Sequence, residues 1–295
     1  MTKNKLPKVI VVIGPTATNK TKLAIFLAQK LNGEIVNADA FQVYKELNIG
    51  VNKPTTKELK QAQFHLLSCV SIYDEWDIKR FQDEAKTTID DIFARHKIPI
   101  IVGGSHLYVN ALIQNYDLTR VPKRDQKYAH LTTPELYNML LTRDSDRAQK
   151  IGPHNQQRLV RALQIFDYPP TTNKLPIYDP LFISCIRPRP SLYAHINQRV
   201  LVMLKKDWID EIKLLWQKDK SLMNLQAFKA IGYREILQAL VHARPVPTTL
   251  IQQKTRQFAK RQITWIKHHY VNPLVYNQRN KTQILNQVLK WSKDN

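Results

Sequence analysis

The feature that most constrains this chain is a short loop between a predicted strand and a predicted helix. Lys8–Ile13 is a continuous apolar run typical of a strand buried on both faces, and a helical pattern follows over Lys20–Leu31. The order strand, tight loop, lysine, hydroxyl, helix is typical of phosphate-binding loops, because loop amides and the helix dipole favour an anion. We therefore predict an α/β fold with a P-loop NTPase-like parallel sheet core.

The loop itself supplies the groups that such a site needs. Lys20 can neutralise a phosphoryl oxygen, and Thr21 can offer its hydroxyl to Mg²⁺. Asn19 stands where glycine is usual, and asparagine is the non-glycine residue that best tolerates a left-handed backbone. The alternative, that Lys20 is a solvated lysine at a helix start, is the weaker interpretation. The predicted anion-binding residues are Gly14, Pro15, Thr16, Ala17, Thr18, Asn19, Lys20 and Thr21.

Two further predicted strands end in residues that could take part in binding or catalysis. The strand at 34–38 ends at Asp39, and the strand at 98–102 is followed by Gly103, Gly104 and Ser105. Ligands of open α/β sheets gather at the carboxyl ends of strands, so we expect Asp39 and Ser105 to face Lys20. The alternative for Asp39 is that it caps the turn that follows.

The pattern predicts a core interrupted by a helical insertion. Residues 1–117 form the first part of the core, 118–177 form an inserted helical subdomain, and 178–295 complete the core and continue as helices. The insertion is rich in polar residues and has short helical patterns at 133–143, 144–151 and 157–166. Val121-Pro122 and the loop at 168–173 punctuate it. Beyond Pro190 we expect helices only.

Composition points to a polyanionic partner. The 295 residues carry a formal net charge of +21, which favours nucleic acid; a membrane surface is the competing partner, but no helix combines a strong apolar face with a basic one. No run approaches the roughly 20 apolar residues that span a bilayer, and the N-terminus shows no export signal. Cys69 and Cys185 lie far apart and are typical of thiols in a reducing compartment. We expect a cytoplasmic protein without a membrane partner.

A long predicted helix at 247–269 places Arg256, Lys260 and Lys267 on one stripe. A solvated basic face and a contact with a nucleic-acid backbone are about equally consistent with that stripe.

The most specific motifs lie along nearly the whole chain. They are Gly14-Pro-Thr-Ala with Lys20-Thr21, Asn37-Ala-Asp39 with Gln42-Val-Tyr44, Asn48-Ile-Gly50 with Lys53-Pro54, Val102-Gly-Gly-Ser105, Arg158-Leu-Val-Arg161-Ala-Leu163, Gly232-Tyr-Arg234, and Ala259-Lys-Arg-Gln-Ile-Thr-Trp265. On these motifs the chain resembles the tRNA dimethylallyltransferases, which prenylate N6 of an adenosine beside the anticodon.

The resemblance implies a role for each matching residue. The loop would hold the diphosphate of dimethylallyl diphosphate, with Lys20, Arg234 and a Mg²⁺ ion on Thr21 as further binding groups. Asp39 would be the general base, and Ser105 would assist in positioning. The residues implied to contact tRNA are Asp39, Ala40, Phe41, Gln42, Ser105, Gln157, Arg158, Leu159, Val160, Arg161, Arg256, Lys260 and Arg261. The family usually acts as a monomer.

The chain departs from the family pattern at several positions. They are Asn19, Ala40, Phe64, Ser68, Gly152 and Asn155. Lys20, Thr21, Asp39 and Arg234 are retained, so we expect intact chemistry with altered donor affinity or tRNA recognition.

Two other functions account for part of the sequence. A small-molecule or nucleoside kinase would explain Lys20 and Thr21, but not the charge of +21. A non-catalytic tRNA-binding relative of the enzyme would explain the departures.

Overall fold

A six-stranded parallel sheet forms the centre of the fold in the computed structural model, which describes residues 6–118, 127–167 and 175–293. The strand order is β3-β2-β4-β1-β5-β6. The strands are β1 (Lys8–Ile13), β2 (Gly33–Asn37), β3 (Phe64–His65), β4 (Ile98–Val102), β5 (Asp179–Cys185) and β6 (Leu274–Tyr276). The predicted α/β class and parallel core are confirmed.

Twelve α-helices lie in the described ranges. They are α1 (Lys20–Leu31), α2 (Thr56–Leu59), α3 (Ile78–Ala94), α4 (His106–Ile113), α5 (Thr133–Arg143), α6 (Ser145–Ile151), α7 (Gln156–Asp167), α8 (Arg189–Leu204), α9 (Trp208–Lys218), α10 (Tyr233–Val241), α11 (Thr248–His269) and α12 (Lys281–Lys293). No helix among the described residues is both long and apolar enough to cross a membrane.

The sheet is covered on both faces, as the unbroken apolar run of β1 predicts. Val9, Val11 and Ile13 belong to one buried cluster, while Ile10 and Val12 belong to another on the opposite face. The first cluster includes side chains from α3, α4, α9 and α10, and the second includes side chains from α1 and α12. Alternate side chains of β1 therefore point to opposite faces of the sheet, and β1 contributes to both layers of the core.

The chain divides into two compact units, Met1–Ile113 with Pro176–Asn295, and Gln114–Leu175. The second corresponds closely to the predicted insertion at 118–177. It contains α5, α6 and α7 around its own core of Leu136, Leu140, Leu159 and Leu163. The predicted breaks at Val121-Pro122 and 168–173 lie outside the described residues.

The expectation that only helices follow Pro190 was wrong. β6 adds a sixth strand by pairing in parallel with β5, with Ser184 opposite Val275. Three residues are too few to show a period-2 pattern, so the strand is defined by its hydrogen bonds to β5 and not by its own sequence.

A buried carboxylate at the start of β2 is surrounded by three basic side chains. Glu34, 3% exposed, accepts hydrogen bonds from both terminal nitrogens of Arg95, from Lys97 Nζ at 2.6 Å and from the His65 ring at 2.7 Å. Hydrogen bonds from Arg95, and then from Lys97 and His65, hold the pKa of Glu34 far below its usual 4.5. This cluster connects β2, β3 and the segment between α3 and β4.

We expect Glu34→Gln to lower the free energy of unfolding by about 2–4 kcal/mol, because it leaves three cations without their shared carboxylate. Glu84→Gln, which breaks the exposed ion pair with Arg80, is the control and should cost less than about 0.5 kcal/mol. Urea unfolding measures both. Since the folded-state pKa is depressed, the Glu34 contribution is present above pH 4.5 and lost as pH falls below it; a difference between wild type and Glu34→Gln that stays constant down to pH 3 contradicts this.

Candidate active site

The phosphate loop has the backbone that its sequence predicts. Gly14, Ala17 and Asn19 all have positive φ, at 151°, 65° and 63°. Asn19 thus occupies the left-handed region directly before α1, as predicted for an asparagine in place of glycine. Thr18 Oγ1 donates to Pro15 O at 2.7 Å and closes the loop from inside.

One cavity of about 840 Å³ lies at the carboxyl ends of three strands, β1, β2 and β4. Its lining includes Lys20, Asp39 and Ser105, so the structure brings together the residues that the sequence places after β1, β2 and β4. Thr16 through Thr21 and Ala40 through Gln42 also line it, whereas Gly14 and Pro15 do not. The predicted meeting of Asp39 with the loop is confirmed.

Main-chain contacts fix the distance between these strand ends. Ala38 N donates to Val102 O at 2.8 Å, and Ser105 N donates to Ala38 O at 3.3 Å. A Cβ atom on Gly103 would lie 2.1 Å from Ala38 O, so only glycine permits this approach. The two glycines after β4 therefore let the Asp39 turn and the Ser105 turn pack together.

Asp39 caps the turn that follows it, as the alternative interpretation predicted, but it uses only one of its carboxylate oxygens. Its Oδ1 accepts from Phe41 N at 2.9 Å and from Gln42 N at 3.3 Å. The Ser105 hydroxyl oxygen accepts from Ala40 N at 3.0 Å and holds the same turn from the other side. The carboxylate is thus oriented by its own turn and is still part of the cavity wall.

Lys20 lies at the base of this cavity. Its Nζ donates to Pro15 O at 2.9 Å. Burial lowers the pKa of Lys20 to about 8, and the nearby Cys185 and Asp39 partly offset that effect. At neutral pH the ammonium is therefore charged and enclosed, which is the state that binds a phosphoryl oxygen most strongly.

Arg199 is a site residue that the sequence analysis did not identify. Its guanidinium on α8 donates to Thr16 Oγ1 and lines the cavity. Burial lowers its pKa to about 10, with the Asp39 carboxylate acting in the opposite direction. In the sequence, Arg199 is one arginine in the helical pattern after Pro190, and nothing local distinguishes it from the many other basic residues.

The predicted contact of Arg234 with the diphosphate stays a prediction. Arg234 is the second residue of α10 and is not among the residues that line the cavity. Its Nε is buried and has no hydrogen-bond partner among the described residues. The cation that the structure brings to the loop is Arg199.

The residues implied to contact tRNA fall into two groups. Leu159 is fully buried in the core of the second unit, so its predicted contact with tRNA was wrong. Gln157, Arg158 and Arg161 are exposed on the same helix, and Val160 packs partly against that core.

Around the cavity, Gln42 Nε2 donates to Val51 O and Asn52 O at 3.0 Å each. Arg256 donates to Asn197 Oδ1 at 2.6 Å, and Lys260 and Arg261 are exposed, with Arg261 on the cavity wall. Gln42 and Arg256 thus already have partners within the protein.

Two of the sequence departures serve helix ends. Gly152 has φ 76° and ends α6, in open space where a Cβ would meet nothing within 4 Å. Asn155 Oδ1 accepts from Arg158 N at 3.2 Å and caps α7. Asparagine thus supplies the capping acceptor that an aspartate would.

A buried amide connects the phosphate loop to the opposite wall. Gln262 on α11 accepts from Thr16 N at 2.9 Å through Oε1, and its Nε2 donates to Gly104 O at 2.9 Å. The Thr16 amide is therefore bonded to protein, and the anion-binding part of the loop is the part nearer α1.

We expect Gln262→Ala to lower the free energy of unfolding by about 2–4 kcal/mol, because it leaves Gly104 O buried without its partner and also removes the half-buried hydrogen bond from Thr16 N. The control is Gln252→Ala on the same helix, which removes a single half-buried hydrogen bond to Asn197 O and should cost about 1 kcal/mol. Urea unfolding of the two variants measures the difference; equal costs contradict a special role for Gln262.

Comparison with known proteins gives one consistent result. The sequence model described as IPP transferase matches residues 42–269. The chain is 39% identical over 272 residues to the tRNA dimethylallyltransferase of Malacoplasma penetrans, covering 89% of this chain and 90% of that protein. It is 37% identical to the enzyme of the same name from Mycoplasmoides gallisepticum, covering 89% and 88%.

Solved structures agree with the sequence matches. The full-length tRNA isopentenylpyrophosphate transferase from Bacillus halodurans has a TM-score of 0.74 at 29% identity and covers 96% of both chains. A eukaryotic dimethylallyltransferase acting on tRNA has a TM-score of 0.77 at 32% identity, covering 88% of this chain and 70% of that one.

Proposed function

The chain belongs to the IPP transferase family, and we propose that it transfers a dimethylallyl group from dimethylallyl diphosphate to N6 of adenosine 37 in the anticodon loop of tRNA. The acceptors would be tRNAs that read codons starting with U, and the second product is diphosphate. The observation that carries the proposal is the shared cavity, in which a phosphate loop with two half-buried cations, Lys20 and Arg199, shares its walls with the Asp39 carboxylate.

The donor diphosphate fits the cationic side of the cavity. Lys20 and Arg199 supply positive charge, and the main-chain N–H groups at the start of α1 point in the direction that favours an anion. Negative charge grows on the diphosphate as the allylic C–O bond breaks, so these groups stabilise the leaving group in the transition state.

Asp39 suits the role of base for the acceptor. The adenine N6 lone pair is delocalised into the ring, so the amine becomes an effective nucleophile only as it loses a proton. N6 attacks the allylic carbon, its proton passes to the carboxylate, and the bonding electron pair of the C–O bond leaves with diphosphate. Because Oδ1 holds the turn through Phe41 N and Gln42 N, Oδ2 is the oxygen that accepts the proton.

Ser105 has a positioning role in this proposal. Its oxygen accepts from Ala40 N, so the hydroxyl proton is directed elsewhere and can bond the oxygen that joins the donor carbon to its diphosphate.

Mg²⁺ is proposed as the cofactor, and the donor set fits it. Thr21 and Asp39 offer oxygen atoms on the cavity wall, and Mg²⁺ needs few protein ligands when substrate phosphates and waters complete its octahedron. When bound, the ion neutralises part of the diphosphate charge, and Thr21 would hold it.

The tRNA would reach the cavity with adenosine turned out of the anticodon stack. Phe41, Phe258 and Trp265 line the cavity and offer aromatic faces for the extruded purine. The exposed Gln157, Arg158 and Arg161 and the exposed Lys260 and Arg261 are the proposed contacts with the rest of the anticodon arm. The charge of +21 supplies the long-range attraction.

A kinase would use the same loop for ATP, but the Thr16 amide is already bonded to Gln262 and the wall opposite Lys20 carries a carboxylate beside aromatic side chains.

Incubation with dimethylallyl diphosphate, Mg²⁺ and unmodified tRNA, followed by mass analysis of the nucleosides, tests the proposal directly. Prenylated adenosine is the expected product. Phosphoryl transfer from ATP without prenylation would support the kinase, and tRNA binding without donor binding would support a non-catalytic relative.

The same proposal includes a monomer that acts in the cytoplasm. Sedimentation velocity of the protein with and without tRNA measures the state.

We expect Asp39→Asn to reduce turnover by about 10³-fold, because an amide cannot take the N6 proton. Asparagine keeps an oxygen for the bonds from Phe41 N and Gln42 N. The tRNA affinity should therefore stay within a factor of two of the wild-type value, and the melting temperature within about 1 °C of it. Single-turnover kinetics and filter binding measure the effects. Asp39→Ala is the comparison variant, and it should lose the turn as well as the base; an Asn variant with wild-type turnover rules out the assigned role.

We expect Arg199→Gln to weaken binding of dimethylallyl diphosphate by about 10–100-fold, because it removes a half-buried cation that contacts the phosphate loop. Arg234→Gln is the matched control and should change the affinity less than threefold. Calorimetric titration with the donor and Mg²⁺ compares them. The reverse order of effects would assign the diphosphate contact to Arg234.

A further inference from the structure

One side of α8 carries a row of basic side chains that begins in the active-site cavity. His195 and Arg199 both line the cavity, and they lie four residues apart on the same face of the helix. Arg187, two residues before α8 begins, adds a second guanidinium, because its Nη1 lies 3.0 Å from His195 Nε2. We call Arg187, His195 and Arg199 the α8 row.

Hydrogen bonds fix the orientation of Arg187 without neutralising its charge. His195 Nδ1 lies 2.8 Å from Ser191 O, and this contact requires a proton on Nδ1. The lone pair of His195 Nε2 is therefore free to accept a hydrogen bond from Arg187 Nη1. An imidazole that donates through one nitrogen and accepts through the other is neutral, so Arg187 keeps its full positive charge.

No carboxylate among the described residues forms an ion pair with Arg187 or with Arg199. Arg199 donates to the Thr16 hydroxyl, and Arg187 donates to the His195 ring. The positive charge of Arg187 thus has no counter-charge in contact with it. Several other arginines do pair with a carboxylate, and they are Arg80, Arg95 and Arg143.

The unused edge of the Arg187 guanidinium is open to solvent. Its Nε and Nη2 have no partner in the part of the chain that the structure describes, and neither atom is buried. These two nitrogens form one edge of the planar group, and such an edge binds a phosphate through two parallel hydrogen bonds. A phosphate can therefore bind Arg187 while Nη1 keeps its bond to His195.

The position of Arg187 favours a phosphate of the acceptor strand over the diphosphate of the donor. Arg199 contacts the phosphate loop at Thr16, whereas Arg187 is held at His195, one helical turn or about 6 Å along α8. Arg187 is also not among the residues that line the cavity. An RNA strand with one adenosine turned into the cavity has backbone phosphates on both sides of that nucleotide, outside the donor site.

We propose that Arg187, oriented by His195, binds a backbone phosphate of the tRNA strand that flanks the extruded adenosine. This inference rests on the proposed function, because it requires a tRNA whose target nucleotide lies in the cavity. It adds one fixed phosphate contact to the long-range attraction that the net charge of +21 provides. His195 is a positioning residue for this contact.

Filter binding of the full-length protein to unmodified tRNA over a range of salt concentrations tests the contact. We expect Arg187→Gln to weaken tRNA binding by about 5–20-fold and to lower the magnitude of the slope of log K against log[salt] by about 0.7, the value for one phosphate contact on a single strand. Arg187→Lys keeps the charge and should keep the wild-type slope. Equal slopes for wild type and Arg187→Gln would overturn the inference.

Arg189→Gln is the matched control, because it removes the same charge from the same segment. Arg189 is exposed, donates to Tyr193 OH at 3.0 Å and does not line the cavity. The stripe of Arg189 and Tyr193 lies about 200° around the helix axis from the stripe of Ser191 and His195. We expect less than a threefold loss of affinity and an unchanged slope; equal effects of Arg187→Gln and Arg189→Gln would overturn the inference in favour of general electrostatic attraction.

His195→Phe tests the positioning role, since phenylalanine keeps a ring but cannot accept from Arg187 Nη1. We expect it to weaken tRNA binding by about threefold, and to add almost nothing when it is combined with Arg187→Gln, because both changes act on one contact. Losses that multiply in the double variant would overturn the action of His195 through Arg187. Melting temperatures should match wild type within about 2 °C, and a lower value with an unchanged salt slope would assign these residues a structural role instead.

The outcomes distinguish this inference from the proposed function. Wild-type protein that fails to bind tRNA would contradict the proposed function itself. Wild type that binds tRNA, with Arg187→Gln indistinguishable from Arg189→Gln, would overturn only the role of Arg187. Calorimetric titration with inorganic pyrophosphate and Mg²⁺ completes the test: we expect Arg187→Gln to bind this probe like wild type, and weaker pyrophosphate binding with unchanged tRNA affinity would assign the guanidinium to the donor.

Discussion

The arrangement of the active site depends on the buried amide of Gln262. This side chain on α11 binds the phosphate loop at Thr16 N and the end of β4 at Gly104 O, so it connects the anion-binding wall to the wall that carries Ser105. A Cβ on Gly104 would lie 2.4 Å from its nitrogen, which shows how closely the backbone approaches. Because both ends of the amide are satisfied, Gln262 holds these two walls together, which helps to orient bound reactants.

Two cations and one carboxylate line the cavity. Lys20 and Arg199 are enclosed, and each has its pKa lowered by burial and partly restored by Asp39. Asp39 in turn is held by main-chain N–H groups of its own turn, and within the described ranges no salt bridge holds it. An anionic ligand between these groups would supply a counter-charge to the two cations, and its attraction would offset the cost of their burial.

Sequence reasoning identified what local pattern encodes and missed what tertiary contact encodes. The strand–loop–helix of 8–31, the strand end at Asp39 and the diglycine before Ser105 are all local signals, and the structure brings them together. Arg199 and the bridging role of Gln262 depend on which helix packs against the loop, and no spacing in the sequence reveals that packing. Leu159 was chosen because it lies in a motif, and its burial contradicts the prediction. Arg234 was also chosen from a motif, and its contact with the diphosphate stays a prediction.

Main-chain atoms carry most of the contacts that hold the strand ends together. Gly103 N donates to Val12 O, Ala38 N to Val102 O and Ser105 N to Ala38 O, and none of these bonds uses a side chain. Substitutions at neighbouring positions therefore leave them in place, provided that Gly103 remains. A single methyl group at residue 103 would therefore be enough to push the Asp39 turn away from the end of β4.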